Sequence, residues 1–231
     1  MKKILFVNDE RQMGGVCILL EDYLNNIDFK DSKVDLLVLH NNGERLKNIP
    51  KEVNIIYGDK YFDVVDLPFK SLLKNGKIIK AMKKAFMSFM IKTGLIEKYI
   101  QYARKKLIIL NYDVEIAFKD GFCTLFTAFG DSKKKINWVH SDYMVKRFTV
   151  DKYKKTFMKC FEKFDTIVAL SEDIKKSFVT KYGHEHLISV VNNYLNDKRI
   201  IDMSNEIAEL DLDKSKLNLV CVRKTLLSKI F

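Results

Sequence analysis

Short apolar runs alternate along this chain with stretches whose apolar residues recur at helical spacing. Ile4–Val7 is the first run, and it stops at Asn8-Asp9-Glu10. That is too short for the apolar core of an export signal and reads as a first strand. Over 15–27, Val16, Leu19, Leu20, Tyr23, Leu24 and Ile27 fall on one helical face. Residues 34–39 are apolar almost throughout, the pattern of a strand buried on both faces of a parallel sheet. Residues 53–57 form another run, and a long helical region follows over 69–110. Further strands are predicted at 113–118, 136–140, 166–170 and 188–191. Ser171 caps a helix that runs to Tyr182, where Gly183 stops it. Strands and helices in this alternation predict an α/β fold, a doubly wound, mostly parallel Rossmann-like sheet.

The tail differs from what precedes it. Residues 196–216 are comparatively acidic, with Asp202, Glu206, Glu209, Asp211 and Asp213, and 217–222 then read as a fresh buried strand. A lone parallel strand cannot bury its faces. The expected organisation is a domain over 1–195, a linker over 196–216, and over 217–231 the first strand of a second domain that is missing.

Composition narrows the class. In 231 residues the hydrophobic share is 47% and the charged share 31%, ordinary globular usage that excludes wholesale disorder. Two prolines and nine glycines argue against an all-β sandwich rich in tight turns. No apolar run approaches the roughly 18 residues of a spanning helix. Cys17, Cys123, Cys160 and Cys221 have no paired spacing, so neither a zinc site nor a disulfide framework is expected, and reduced thiols fit a cytoplasmic location. Forty-one Lys and Arg against thirty Asp and Glu leave +11, a surface that attracts anions.

In an open parallel sheet, ligands bind beyond the carboxyl ends of the strands, so polar residues that directly follow a strand carry the candidate chemistry. After the first strand, Gly14 and Gly15 lead into a helix. They would let a backbone approach a ligand, with free N–H groups favouring an anion; the plainer reading is a simple strand-to-helix turn. The pair matches neither the G-x-G-x-x-G fingerprint nor a P-loop. His140, at the end of the fifth strand, could titrate near neutrality and donate to a departing phosphate, or be structural. His40 has a weaker polar setting, and His184 and His186 read as loop residues. Ser171-Glu172 is explained by a helix cap alone, and Asn192-Asn193 suits a polar turn.

Residues 70–106 hold eleven Lys and Arg against the single acid Glu97, with apolar residues at helical spacing. Such a basic amphipathic pair, including Lys77, Lys80, Lys83 and Lys84, reads either as a face for anionic lipid or as a solvated surface. Without a stacking platform or a recognised motif, nucleic acid is not an expected partner.

Met13-Gly14-Gly15-Val16 opening a helix, Ile136-Asn137-Trp138-Val139-His140-Ser141-Asp142, residues 164–172 and Ile188-Ser189-Val190-Val191-Asn192-Asn193 occur in an order and spacing that resembles the N-terminal half of a GT-B glycosyltransferase of the group 1 / family 4 type, over about residues 1–222. The resemblance implies an acceptor-binding Rossmann-like domain facing a nucleotide-binding one across a cleft. It also implies retaining transfer from a nucleotide-sugar to a sugar or lipid-linked acceptor in surface polysaccharide or glycolipid synthesis, with neither metal nor cofactor. Gly14 and Gly15 would lie against donor diphosphate and acceptor, and His140 near the reacting sugar. Ser171 and Glu172 would border the cleft, and Asn193 would mark the approach to the linker.

The chain departs from the family after Val222, where Arg223-Lys224-Thr225 replaces the family's Gly-Arg and later Lys-Gly pair, and its acidic donor-binding pair has no counterpart. Transfer by the chain alone is therefore expected to be weak or absent. Two other classes compete. A non-catalytic peripheral membrane or interaction module would rest on 70–106. A phosphorylatable receiver domain would rest on Asp9-Glu10, although Asp59 is badly placed and His140 stands where a Lys is needed.

Overall fold

The computed structural model describes residues 1–9, 14–40, 48–65, 67–145, 149–194 and 196–206. Their elements run β1 (Lys2–Asn8), α1 (Gly15–Asn25), β2 (Ser32–Val38), β3 (Asn54–Tyr57), α2 (Asp59–Phe62), α3 (Phe69–Lys74), α4 (Ile78–Thr93), α5 (Ile96–Leu107) and β4 (Val114–Ala117). They continue with α6 (Phe122–Ala128), β5 (Lys134–Val139), α7 (Thr149–Lys152), α8 (Lys154–Phe161), β6 (Thr166–Ala169), α9 (Glu172–Tyr182), β7 (Ile188–Val190) and α10 (Asp197–Ser204). The strands form one parallel sheet in the order β3-β2-β1-β4-β5-β6-β7. This is the doubly wound Rossmann-like fold read from the alternation of elements, with one strand added beyond β6. Winding reverses between β1 and β4, and the carboxyl ends of those two strands define the crevice.

That order removes the receiver reading. A receiver sheet places its third strand beside its first, whereas here β3 is an edge strand and β4 pairs with β1.

Alternate side chains of each strand serve two cores. Phe6, Leu36, Val38, Trp138 and Val168 pack with Leu20 and Leu24 of α1 on one face. Leu5, Val7, Leu37, Ala117, Val139 and Ile167 pack on the other with Ile100 of α5, Phe126 of α6, Phe157 and Phe161 of α8 and Phe178 of α9. Completely buried side chains of this size each contribute about 1.5–3 kcal/mol over exposure.

The second face also holds buried polar residues. Tyr112 donates to Asp35 of β2, Arg104 of α5 donates to Glu115 of β4 at 2.6 Å, and Thr124 donates to Asn137 of β5 at 2.6 Å. Burial pushes the Glu115 carboxyl above its ordinary range against the pull of Arg104. Gly130 crosses this ion pair so closely that a Cβ there would stand 2.7 Å from Glu115 Oε1 and 2.8 Å from Arg104 Nη2.

The 69–110 region is three helices, broken at Gly76, with φ +66°, and at Gly94, with φ +80°. Neither break stood out within an unbroken apolar-basic pattern. Cys17, Cys123 and Cys160 are buried and in no disulfide, and Cys221 lies outside the described residues. Residues 1–195 form one compact unit. In the second unit, part of the expected linker is the helix α10, capped by Asn196, whose side chain accepts from Arg199 N–H at 3.0 Å. The strand expected at 217–222 lies outside the described residues.

Candidate functional site

The crevice floor is built by the residues directly after β1, β4 and β5. At the end of β1, Asn8 and Asp9 are buried, and the Asp9 carboxylate is held by Lys119, the second residue after β4. This ion pair joins the two strands at the winding reversal. It also occupies the acid on which a receiver domain would hold magnesium.

Gly14 and Gly15 open α1. Gly14 is extended, its carbonyl accepts from the N–H groups of Cys17 and Ile18, and no side chain caps the helix. A Cβ at either position would meet nothing within 4 Å. The chain's own packing therefore does not demand glycine at these positions. An exposed backbone and uncapped N–H groups leave room for an anionic ligand.

His140 leaves β5 half-buried. Its Nε2–H donates to the Phe118 carbonyl at 2.7 Å, which leaves Nδ1 as a lone-pair acceptor, and that buried nitrogen has no partner among the described residues. Burial, with Lys119 nearby, pulls its pKa down to about 4 although the Phe118 carbonyl favours the protonated ring. The expectation of titration near neutrality is thereby corrected. The ring is neutral across the physiological range, with its Nδ1 lone pair turned into the protein and its donor nitrogen committed to the Phe118 carbonyl.

The ring is set by aromatic packing. It stacks on Trp138 at 20° with centroids 5.9 Å apart, and Phe118 lies against both. Tyr23 of α1 meets Trp138 edge-on at 5.3 Å and approaches Tyr194, beyond β7, at 6.3 Å.

Four functional candidates were not singled out from sequence: Phe118, Lys119, Asp120 and Tyr143. The first three directly follow β4, so the rule that polar residues after a strand carry chemistry would have found Lys119-Asp120 had it been applied there. Asp120 accepts from the Tyr143 hydroxyl, and burial pushes its carboxyl above the ordinary range despite that bond. Gly121, at φ +92°, turns the chain from this loop into α6, a conformation a side chain would strain. Tyr143 is in turn anchored to α9: its N–H donates to Ser177 Oγ at 3.2 Å, and Lys181 donates to its carbonyl at 2.6 Å.

The remaining expected residues lie further along the sheet. Ser171 Oγ accepts from Ile174 N–H at 3.3 Å, so it caps α9, and Glu172 is exposed in the first turn. They follow β6, three strands from β1 and so about 14 Å across at about 4.8 Å per strand. Asn193 is exposed one strand further, after β7.

The four expected lysines, Lys77 just before α4 and Lys80, Lys83 and Lys84 within it, do not act together. Lys80, at 3.3 Å, and Lys83 both bind Asp63, and burial that would raise the Asp63 pKa is outweighed by these two cations, which lower it. Lys84 is half-buried and Lys77 exposed.

Neither a protein-family model nor a curated protein sequence matches this chain. Solved structures do. The Anabaena protein Alr3699/HepE in complex with UDP and glucose superposes with a TM-score of 0.50 at 16% identity, over 86% of this chain and 46% of that one. The same protein in complex with UDP-glucose gives 0.50 at 14% identity, over 86% and 45%. The chain thus spans about half the length of these neighbours. At this identity the likeness establishes the fold: a Rossmann-like α/β domain shared with a protein crystallised with a nucleotide-sugar.

Proposed function

We propose that this domain is the acceptor side of a retaining, metal-independent glycosyltransferase that uses a nucleotide-sugar. In this reading it carries a sugar or lipid-linked acceptor for a surface polysaccharide or glycolipid, peripherally at the inner face of the membrane. The observation that carries the reading is the neutral ring of His140, fixed on the Phe118 carbonyl just after β4, at the same end of the sheet as the open Gly14-Gly15 helix start that follows β1. A neutral ring on an aromatic floor suits the apolar face of a sugar, and the exposed helix start suits a phosphate. Asp120 and Tyr143 would line the same floor.

A donor diphosphate needs several cations. Among the described residues the crevice floor offers Lys119, which is engaged with Asp9. We therefore assign most of the grip on the donor to groups outside the described residues. In a transfer assay with a panel of UDP- and GDP-sugars, the purified chain alone is expected to turn over slowly or not at all, while binding the donor weakly by calorimetry. Robust turnover by the chain alone would defeat the division of labour, and failure to bind any nucleotide-sugar or sugar would defeat the reading.

A further inference from the structure

The long helix α4 carries an apolar stripe turned away from the core. At roughly 100° per residue, Ile78, Ile79, Met82, Phe86 and Phe89 fall within one arc, and each is between 55% and 82% exposed. Met87 and Ile91, on the other side, are buried. Phe69 and Leu73 of α3, the neighbouring helix, are exposed as well. Five large side chains in register far exceed the scattered apolar residues normal on a surface.

The stripe runs into a cationic cavity. Thr93, one turn beyond Phe89, lies in line with it and lines a cavity of about 360 Å³ with Lys92, Lys155, Lys159, Lys163 and Glu97. Glu97 is the acid of the lining and is bound to Lys163 at 3.5 Å. Lys92, Lys155 and Lys159 have no ion-pair partner among the described residues. Lys155 and Lys159 stand one turn apart on α8, so both point to the same side. Lys163 sits over the Phe129 ring at 4.5 Å, which fixes one wall.

We infer that this face docks on an anionic bilayer, with the α4 stripe inserted among the acyl chains and the lysine cavity holding the headgroup phosphate of an anionic glycerophospholipid. Charge complementarity selects the occupant: the stripe needs an apolar medium, and the cavity at its end needs an anion. The surface cations that matter are thus Lys92, Lys155 and Lys159, two of them outside the 70–106 stretch; Lys80 and Lys83 are held by Asp63. The inference refines the peripheral membrane reading above and depends on it.

The test is co-sedimentation of the full chain with vesicles of phosphatidylcholine, alone or mixed with phosphatidylglycerol. Wild type is expected to bind the mixed vesicles far more tightly. A lysine at an anionic surface is worth about 1 kcal/mol, or about fivefold, so Lys155→Ala with Lys159→Ala should weaken binding about thirty-fold. The control double Lys105→Ala with Lys106→Ala removes equal charge elsewhere and should cost only a few-fold. Phe86→Ser with Phe89→Ser should abolish binding without disturbing the fold, since both side chains are exposed. Equal losses in the two lysine doubles would overturn the cavity as a headgroup site while leaving membrane binding intact. No preference for phosphatidylglycerol, or no binding at all, would overturn the membrane reading itself. Overturning also follows if the Phe substitutions merely dissolve a dimer of the chain, or if inorganic phosphate fills the cavity while vesicles do not bind.

Discussion

The neutral state of His140 makes a quantitative prediction. In the unfolded chain its imidazole titrates at the ordinary 6.5, and in the fold at about 4. Between those values the unfolded chain binds the proton and the native state does not. Stability therefore rises with pH across that window. His140 contributes its full share above pH 6.5, loses it as pH falls, and contributes nothing below about 4. A displacement from 6.5 to about 4, at about 1.36 kcal/mol per pH unit, gives about 3 kcal/mol. Solvent at the exposed edge of the ring trims this to about 2–3 kcal/mol. The perturbation is His140→Gln, which keeps an N–H for the Phe118 carbonyl and removes the titration. Urea unfolding of both proteins from pH 7.5 down to about 3.5 should show the wild-type minus variant difference flat at first and then falling by that amount. Trp138 is the only tryptophan of the sequence and stacks on His140, so imidazolium formation should quench its fluorescence with a midpoint near 4. A quenching midpoint near 6.5 with a flat stability difference would refute the buried, carbonyl-bound ring.

Other substitutions test the framework around the site. Gly130→Ala should cost about 2–4 kcal/mol in urea unfolding, because the new methyl must displace the buried Glu115–Arg104 pair. Gly15→Ala should leave stability unchanged or raise it by about 0.5–1 kcal/mol, since its Cβ meets nothing, while weakening the response of Trp138 fluorescence to nucleotide-sugars. Ser171→Ala should cost about 1 kcal/mol through the lost cap of α9, with little effect on the same fluorescence titration.

The alternation of runs carried most of the fold, because strands buried on both faces announce themselves by apolar content alone. Boundaries moved by a residue or two, as between 34–39 and Ser32–Val38. Short helices such as α6 were invisible: Phe122–Ala128 is buried throughout and has no polar face to give it a period. Asp35, Glu115 and Asn137 were unreadable for a different reason, since each depends on a partner brought in from another element. The candidate residues Gly14, Gly15 and His140 could be picked out from sequence because they follow strands. The state of His140 could not, because it depends on the carbonyl of Phe118, twenty-two positions earlier in the chain. Basic amphipathicity over 70–106 was legible, but which lysines face the apolar stripe depends on Asp63 and on the placement of α8.

The central claim is best tested by amide spectra of the isotope-labelled chain titrated with UDP- and GDP-sugars and short oligosaccharides. Perturbations are expected to be confined to the carboxyl ends of β1, β4 and β5: Gly14 to Val16, Phe118 to Phe122, and Trp138 to Ser141. Perturbations at the opposite ends of the strands, or silence toward every sugar and nucleotide-sugar, would contradict that claim.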